Sequence, residues 1–403
     1  MTTPSALAER VSAGEIALHE LEAQTDPDTA AAARRELLES TTNADLSAVG
    51  SFTFDADVVQ SAIENMVGAV QIPVGVAGPV AIDGSSASGT SYLPLATTEG
   101  ALVASINRGC SAIQTAGGAN AHVLDSKMTR APVFRVENVH AASALAEWVD
   151  ENFDALADAA EATTNHGKLL DIRPYVVGDS VFLRFAYDTK DAMGMNMATI
   201  ATQAACELIE AETTADLVAL SGNLCSDKKP AAINLIEGRG RTVAADVQLT
   251  ASQVADRFDT TPGAIEEANT RKNLLGSARA GSLGFNAHAA NVIAAVFLAT
   301  GQDPAQVVEG ANTITSVDVR DGDLYASVTI ASLDVGTVGG GTKLPTQSEG
   351  LELLGVAGGG DPAGANADAL AEVIATGVLA GELSLLGALA SDNLASAHEE
   401  LGR

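Results

Sequence analysis

Aromatic residues are scarce in this chain of 403 residues, where Phe, Trp and Tyr make up 3% of the sequence. Because 46% is still hydrophobic, a core of ordinary size has to be packed from Ala, Val, Leu and Ile. Cysteine is nearly missing as well. Cys110, Cys206 and Cys225 form no CxxC pair and have no histidine clustered near them, which excludes a disulfide framework and a structural zinc site; no metal is expected. No uninterrupted apolar run approaches the roughly 18–20 residues that a membrane helix needs. Charges interrupt MTTPSALAERVSAGEIALHE where a signal peptide has its apolar segment. A soluble, cytoplasmic chain is therefore expected. No GxGxxG follows a strand-like segment and no GxxxxGK[ST] occurs, so a standard Rossmann site and a P-loop are both unsupported.

Positive charge is also in short supply. Asp and Glu number 52 against 22 Lys and Arg, giving a formal charge of −30 and a pI near 4.3. Such a field repels nucleic acid and anionic membranes, so neither is expected as a partner. A mean hydropathy of +0.17 separates the chain from acidic disordered sequences. Its self-repulsion calls for salt, since the screening length falls to about 3 Å at 1 M. Only seven lysines occur: Lys127, Lys168, Lys190, Lys228, Lys229, Lys272 and Lys343. A sequence that avoids lysine yet writes Lys228-Lys229 side by side has a use for that charge.

The pattern along the chain predicts an α+β protein. Residues 1–60 read as helix and loop, split by the breaker TDPDT. The Gly- and Pro-rich stretch 72–94 suggests short strands and turns. EGALVASINRGCSAIQTAGG (from 99) reads as a helix buried on most sides, ended by Gly117-Gly118. Residues 132–224 then carry their own order. PVFRVE is a strand and residues 143–161 an amphipathic helix. Two strands meet at Gly178-Asp179, residues 191–212 form a helix, and ADLVALSG is a strand. That series, β-α-β-β-α-β, is the ferredoxin-like split unit, and it reads as an insertion. The expected division is 1–60, a helical N-terminal region; 61–131 with 225–403, a large domain built around a buried central helix; and 132–224, the inserted unit.

Candidate chemistry is scattered. Asp191 is a plausible N-cap for the helix after it, and Gly194 would let a ligand approach free N–H groups at the helix start; the competing reading is a capped helix with Met filling core gaps. In SGNLCSDKKPAAIN (221–234), paired ammonium groups suit a substrate with a carboxylate and a polarisable carbonyl. Asp227 could hold one lysine in place, and a solvated charged turn is the alternative. Glu99, at the mouth of an apolar helix, should be partly desolvated and so suited to proton donation. Asp303 reads as an N-cap before Pro304, and His398 as a tail histidine.

Several long segments resemble the catalytic portion of class I hydroxymethylglutaryl-CoA (HMG-CoA) reductases. They are ENMVGAVQIPVGVAGP (64–79), LATTEGALVASINRGC (95–110), DAMGMNM (191–197), SGNLCSDKKPAAINLIEGRGR (221–241), GFNAHAANVIAAVFLATGQDPAQ (284–306) and DVGTVGGGTKLP (334–345), in the family's order. The resemblance implies a four-electron reduction of HMG-CoA to mevalonate and CoA with two NADPH, in the mevalonate pathway of isoprenoid synthesis. It also implies roles. Lys228 would stabilise the oxyanion, Glu99 would donate a proton, Asp303 would sit between them and tune both, and His398 would protonate the departing thiolate. Arg130, Ser221, Asp227, Lys229, Lys272 and Asn291 match substrate-binding positions. Asp191, Met193, Gly194, Met195, Asn196, Gly339 and Gly340 match cofactor-binding ones, on and beside the ferredoxin-like insertion. Where many members carry Ser-Arg-Phe for the 2′-phosphate, this chain has Asn165-His166-Gly167, leaving His166 or Lys168 to replace the arginine. The family builds its site across a homodimer, with Glu64 and Asn65 of ENMVG at the CoA and subunit contact. Two other readings compete: a class II enzyme run oxidatively with NAD, and a CoA-ester-binding module without activity. The DKKP string speaks against the first, and retention of all four catalytic candidates against the second.

Overall fold

A computed structural model describes residues 3–60 and 62–391. Helices α1 (Pro4–Ser12) and α2 (Pro27–Thr42) each begin with proline behind a capping side chain, Thr3 or Asp26. They close a small core of Leu7, Leu21, Ala30 and Ala33. The Gly- and Pro-rich stretch becomes an antiparallel pair, β1 (Val74–Gly84) and β2 (Ser88–Ala96). Then come α3 (Leu102–Thr115) and β3 (Ala119–Arg130), the latter parallel to the end of β1.

Next in the chain are β4 (Val133–Arg135), α4 (Val139–Glu151), α5 (Phe153–Glu161), β5 (Lys168–Val177), β6 (Ser180–Asp188), α6 (Met195–Glu212) and β7 (Asp216–Ala219). Their strands pair antiparallel in the order β5-β6-β4-β7. Phe134, Leu145, Leu156, Phe185 and Cys206 are among the residues of a separate apolar core beneath them. The single amphipathic helix expected over 143–161 is two helices. Asn152 parts them, its side-chain amide turning back to the Trp148 carbonyl at 2.8 Å, a local bond that competes with helix continuation.

The remainder contains α7 (Ala232–Glu237), β8 (Gly240–Leu249), α8 (Ala251–Phe258), α9 (Pro262–Ala268), α10 (Ser277–Ala280), α11 (Ala289–Thr300) and α12 (Val307–Gly310). After these come β9 (Thr313–Arg320), β10 (Asp323–Leu333), α13 (Pro345–Leu353) and α14 (Ala365–Ala390). Strand β3 joins the two parts of the fold. Its first residues pair with β8 in the series β3-β8-β10-β9, and Met128, Thr129 and Arg130 pair with β6.

The most deeply buried helix is α14, while α3, expected to be buried on most sides, buries six of its residues. Among the described residues α14 alone is long and apolar enough to cross a membrane, with a mean hydropathy of 1.8, yet 83% of that apolar window is buried inside the protein. Helix α3 lies against it. The two backbones nearly touch: a methyl group on Gly109 would sit 1.9 Å from the Ala380 carbonyl oxygen. Two carboxylates buried on α14 are spent on backbone N–H groups. Glu372 accepts from Ser85, Ser86 and Ala87 at the β1–β2 turn, and Glu382 from Ala287 and His288 at the start of α11. Hydrogen bonding of this kind makes a buried carboxylate tolerable.

Candidate active site

The segment between β7 and α7 carries Lys228 on a backbone that side chains other than glycine seldom adopt. Asn223, Ser226 and Lys228 all have positive φ, at 65°, 48° and 59°. Each such residue costs on the order of 1–2 kcal/mol, so the segment must be held from outside. Gly222 donates its N–H to the Ala131 carbonyl at 2.6 Å. Arg184, from β6, donates to the Leu224 carbonyl at 3.0 Å, and Asn234 to that of Ser226 at 3.3 Å. The Lys228 N–H donates to Glu309 Oε1 at 2.5 Å.

Held in this way, the Lys228 ammonium meets Asp303 Oδ2 at 2.7 Å. That hydrogen bond is the main reason the Lys228 pKa lies above the ordinary lysine value. At neutral pH the side chain is therefore a fixed positive charge, suited to stabilising an oxyanion and unsuited to giving up its proton. Asp303 also caps the turn that follows it, its other oxygen accepting the Ala305 N–H at 3.0 Å. Asp227 does not hold a lysine with its carboxylate. Oδ1 accepts from Arg239 at 2.9 Å and from Gln306 at 2.8 Å, and only the Asp227 carbonyl takes Lys229, at 2.9 Å.

Behind this turn lies a charge cluster that the sequence reading missed. Arg239 is fully buried; it pairs with Asp227, with Glu309 at 3.0 Å and with Asp334, and donates to Met195 Sδ at 3.0 Å. Burial alone would lower its pKa, but the surrounding carboxylates raise it. Burial pushes Glu309 up to about 7, helped by the Asp334 charge, and pushes Asp334 up as well. The signal was available in the sequence, since EGRGR places two arginines beside DKKP in a chain poor in positive charge.

Lys228 and Asp303 open onto a cavity of about 630 Å³, lined also by residues 192–197, 301–302, Pro304, Gly336 and 338–342. Met193, Gly194, Met195, Asn196, Gly339 and Gly340 of the expected cofactor set are thus gathered in one place. Helix α6 starts at Gly194, whose φ is 87°, and no side chain caps it. Its free N–H groups therefore lie at the positive end of a helix that begins in the cavity wall, a ready anion site. A Cβ on Gly336 would come 2.4 Å from the Met193 nitrogen, so the two lining segments can meet only because that residue is glycine. Uncapped N–H groups, glycine-rich walls and a nearby ammonium fit a phosphate-bearing cofactor.

Asp191 is not the cap of α6, and its carboxylate does not line the cavity. It is buried, and it accepts the backbone N–H groups of Gly360 (2.9 Å), Gly364 (2.7 Å), Asn366 (3.1 Å) and Ala367 (3.1 Å), closing the start of α14. Arg241 ties the same region together, donating to the carbonyls of Lys190 and Val335 and pairing with Asp368.

The other expected residues divide into two groups. Arg130 ends β3 and Ser221 follows β7; each is next in sequence to one partner of the Ala131–Gly222 hydrogen bond, which brings them to the Lys228 side. Glu99 lies elsewhere and is exposed, so the partial desolvation expected for it is absent in the single chain. Its carboxylate accepts from Asn291 Nδ2 at 3.3 Å. Lys272, also exposed, adjoins Asn273, whose amide reaches Glu382 at 3.5 Å beneath the start of α11. Asn291 is in the first turn of α11, which ends at Thr300, and Asp303 lies just beyond that end; the helix between them spans about 14 Å. Within one chain Asp303 therefore meets Lys228 and not Glu99. Glu64 and Asn65 are exposed, and His398 lies outside the described residues.

Residues 30–403 match the family model described as hydroxymethylglutaryl-coenzyme A reductase. The chain is 70% identical over 403 residues to the 3-hydroxy-3-methylglutaryl-coenzyme A reductase of Haloferax volcanii, covering all of both chains. It is 70% identical to that of Halobacterium salinarum, covering 99% of each, and 53% identical to that of Pyrococcus abyssi, covering 98% of this chain and 99% of the relative. Among solved structures it resembles a class II reductase from Streptococcus pneumoniae bound to NADPH in open conformations. The TM-score is 0.68 at 20% identity, over 95% of this chain and 98% of that one, a likeness of fold.

Proposed function

The chain belongs to the hydroxymethylglutaryl-coenzyme A reductase family, and from that premise we propose that it reduces HMG-CoA to mevalonate and CoA with two NADPH, at a site shared by two copies in the cytoplasm. The observation that carries the reading is the Lys228–Asp303 ion pair at the edge of the glycine-walled cavity. NADPH supplies the hydrides. Lys228 stabilises the negative oxygen that forms when the thioester carbon is reduced, and Asp303 keeps that lysine charged and aimed. Arg130, Ser221 and Lys229 hold the hydroxymethylglutaryl group from the same side. Glu99 protonates the alkoxide, Asn291 orients Glu99, Lys272 meets the substrate's free carboxylate, and His398 returns a proton to the CoA thiolate. Residues 132–224 act as a ferredoxin-like cofactor domain inserted between 61–131 and 225–403, with the helical region 1–60 outside both. The order β5-β6-β4-β7 supports that assignment. The turn holding His166 and Lys168 supports an NADP preference. A Cβ on Gly167 would come 2.5 Å from Met197 Sδ, and Met197 lines the cavity.

The length of α11 between them, about 14 Å, supports a composite site, because Glu99 of one copy can face Lys228 of another while within one chain Glu99 meets Asn291 and Lys228 meets Asp303. Ile63 and Val70, near Glu64 and Asn65 in sequence, are exposed apolar side chains available to that contact. Oxidation of NADPH dependent on HMG-CoA, measured in molar KCl beside NADH, tests the reaction; absence of turnover overturns it. Mixing Glu99→Gln with Lys228→Ala protein, each inactive alone, should restore about a quarter of wild-type activity in a shared-site dimer. No recovery on mixing would sink the composite site.

A further inference from the structure

Lys228 is gripped twice by one short stretch of chain. Its ammonium meets Asp303, and its backbone N–H donates to Glu309 at 2.5 Å. The stretch between those two acids is stiff, with Asp303 capping the turn Pro304–Gln306 that runs into α12. We propose that Glu309 is a positioning residue for this site: by accepting the Lys228 N–H it holds the DKKP turn in the left-handed conformation that brings the lysine to Asp303. The inference rests on the functional reading above and adds a residue to it.

Three observations carry it. Lys228 has φ 59°, a conformation that persists only where surroundings impose it, and Glu309 is the group that takes its N–H. Glu309 is fully buried and cannot swing aside, because Asn234 (2.9 Å) and Arg239 (3.0 Å) occupy the same carboxylate. A buried charge cluster is poor value for stability alone, since well-packed apolar residues commonly do as well. A role in geometry accounts for it better. Glutamine keeps the side-chain shape and can leave its oxygen at the Lys228 N–H; its NH₂ then faces Asn234 and Arg239, a cost in stability and not in the placement of Lys228.

The variants separate geometry from charge. Glu309→Gln keeps an oxygen at the Lys228 N–H and removes the charge. Glu309→Asp keeps the charge and withdraws the oxygen by one methylene. Because a misplacement of about 1 Å can cost on the order of 100-fold, Glu309→Asp and Glu309→Ala should lower kcat by at least about tenfold. Their KM for NADPH should change far less, and Glu309→Gln should stay within about threefold of wild type in kcat. The opposite order, with Asp near wild type and Gln impaired, overturns the proposal, as does a folded Glu309→Ala enzyme with normal kcat. Amide exchange in the wild-type protein supplies a measurement that needs no variant. The Lys228 N–H should exchange at least about tenfold more slowly than an unbonded amide, and free exchange there overturns the proposal if the variants do not fold. That measurement is independent of turnover, so failure of the wild type to reduce HMG-CoA would count against the reaction and not against this contact.

Discussion

Replacing Asp191 separates two roles for a residue that the sequence places among cofactor ligands and the structure places under the start of α14. Its carboxylate takes four backbone N–H groups, from Gly360, Gly364, Asn366 and Ala367. Hydrogen bonds to a charged group contribute about 1.5–3 kcal/mol each, and loss of a helix cap about 1 kcal/mol. The bonds share one acceptor and are not additive, and water can reach the amides of the 358–364 loop. About 3–5 kcal/mol is then a reasonable loss for Asp191→Ala. Asp191→Asn keeps one oxygen but turns its NH₂ toward two donors, and should lose roughly 2–3 kcal/mol. In thermal unfolding at fixed molar KCl, the alanine variant should melt about 4–6 °C earlier and the asparagine variant about 2–4 °C earlier. KM for NADPH in the folded protein should change little beside that loss. A large rise in KM with an unchanged melting temperature would refute this reasoning and return Asp191 to the cofactor.

Three other outcomes follow from the site and the surface. Glu309 and Asp334 hold protons more tightly in the fold than in the unfolded chain. The stability they contribute is complete below an unfolded carboxylate pKa of about 4.3 and is lost as pH rises through about 7. In molar KCl the melting temperature should therefore fall less between about pH 5 and about pH 8 in Glu309→Gln than in wild type, and parallel curves would refute the assignment. His398→Gln should slow thioester reduction by about 100-fold or more while sparing reduction of mevaldehyde, which has no thiolate to protonate; equal losses would remove His398 from that step. With a formal charge of −30, activity and melting temperature should both rise steeply with KCl toward about 1 M as the screening length shortens to about 3 Å. Full activity retained after dialysis into dilute buffer would contradict salt adaptation.

What the sequence made legible was whatever depends on local pattern. Gly178-Asp179 marked the β5–β6 turn, Gly117-Gly118 closed α3, and TDPDT marked the start of α2, where Asp26 caps and Pro27 opens the helix, although α1 had already stopped at Ser12. The cavity segments were recognisable by their resemblance to family motifs; from the residues alone a capped helix with methionine filling the core remained an open reading. Contacts between distant segments were not legible. Asp191 looks like a cap for the helix that follows it, and nothing local says that Gly194 starts α6 while Asp191 serves amides about 170 positions later. Glu99 looks desolvated from its apolar neighbours, yet a helix end can still face solvent. Arg239 was overlooked because its partners come from four separate stretches of chain.

Helix α14 bears on how the protein is made. The surfaces of α3, β8, β10 and α11 that it covers are synthesised well before residue 365 leaves the ribosome. Until then they have no partner to close on, and most of the apolar contacts of the larger core span long stretches of sequence, which slows their formation. The nascent chain should therefore stay incompletely folded and in need of chaperones through most of its translation. The smaller core of residues 128–215 contains none of α14 and can form while the ribosome is still at work. A message interrupted upstream of α14 would then yield aggregates from the larger part, not a less active reductase.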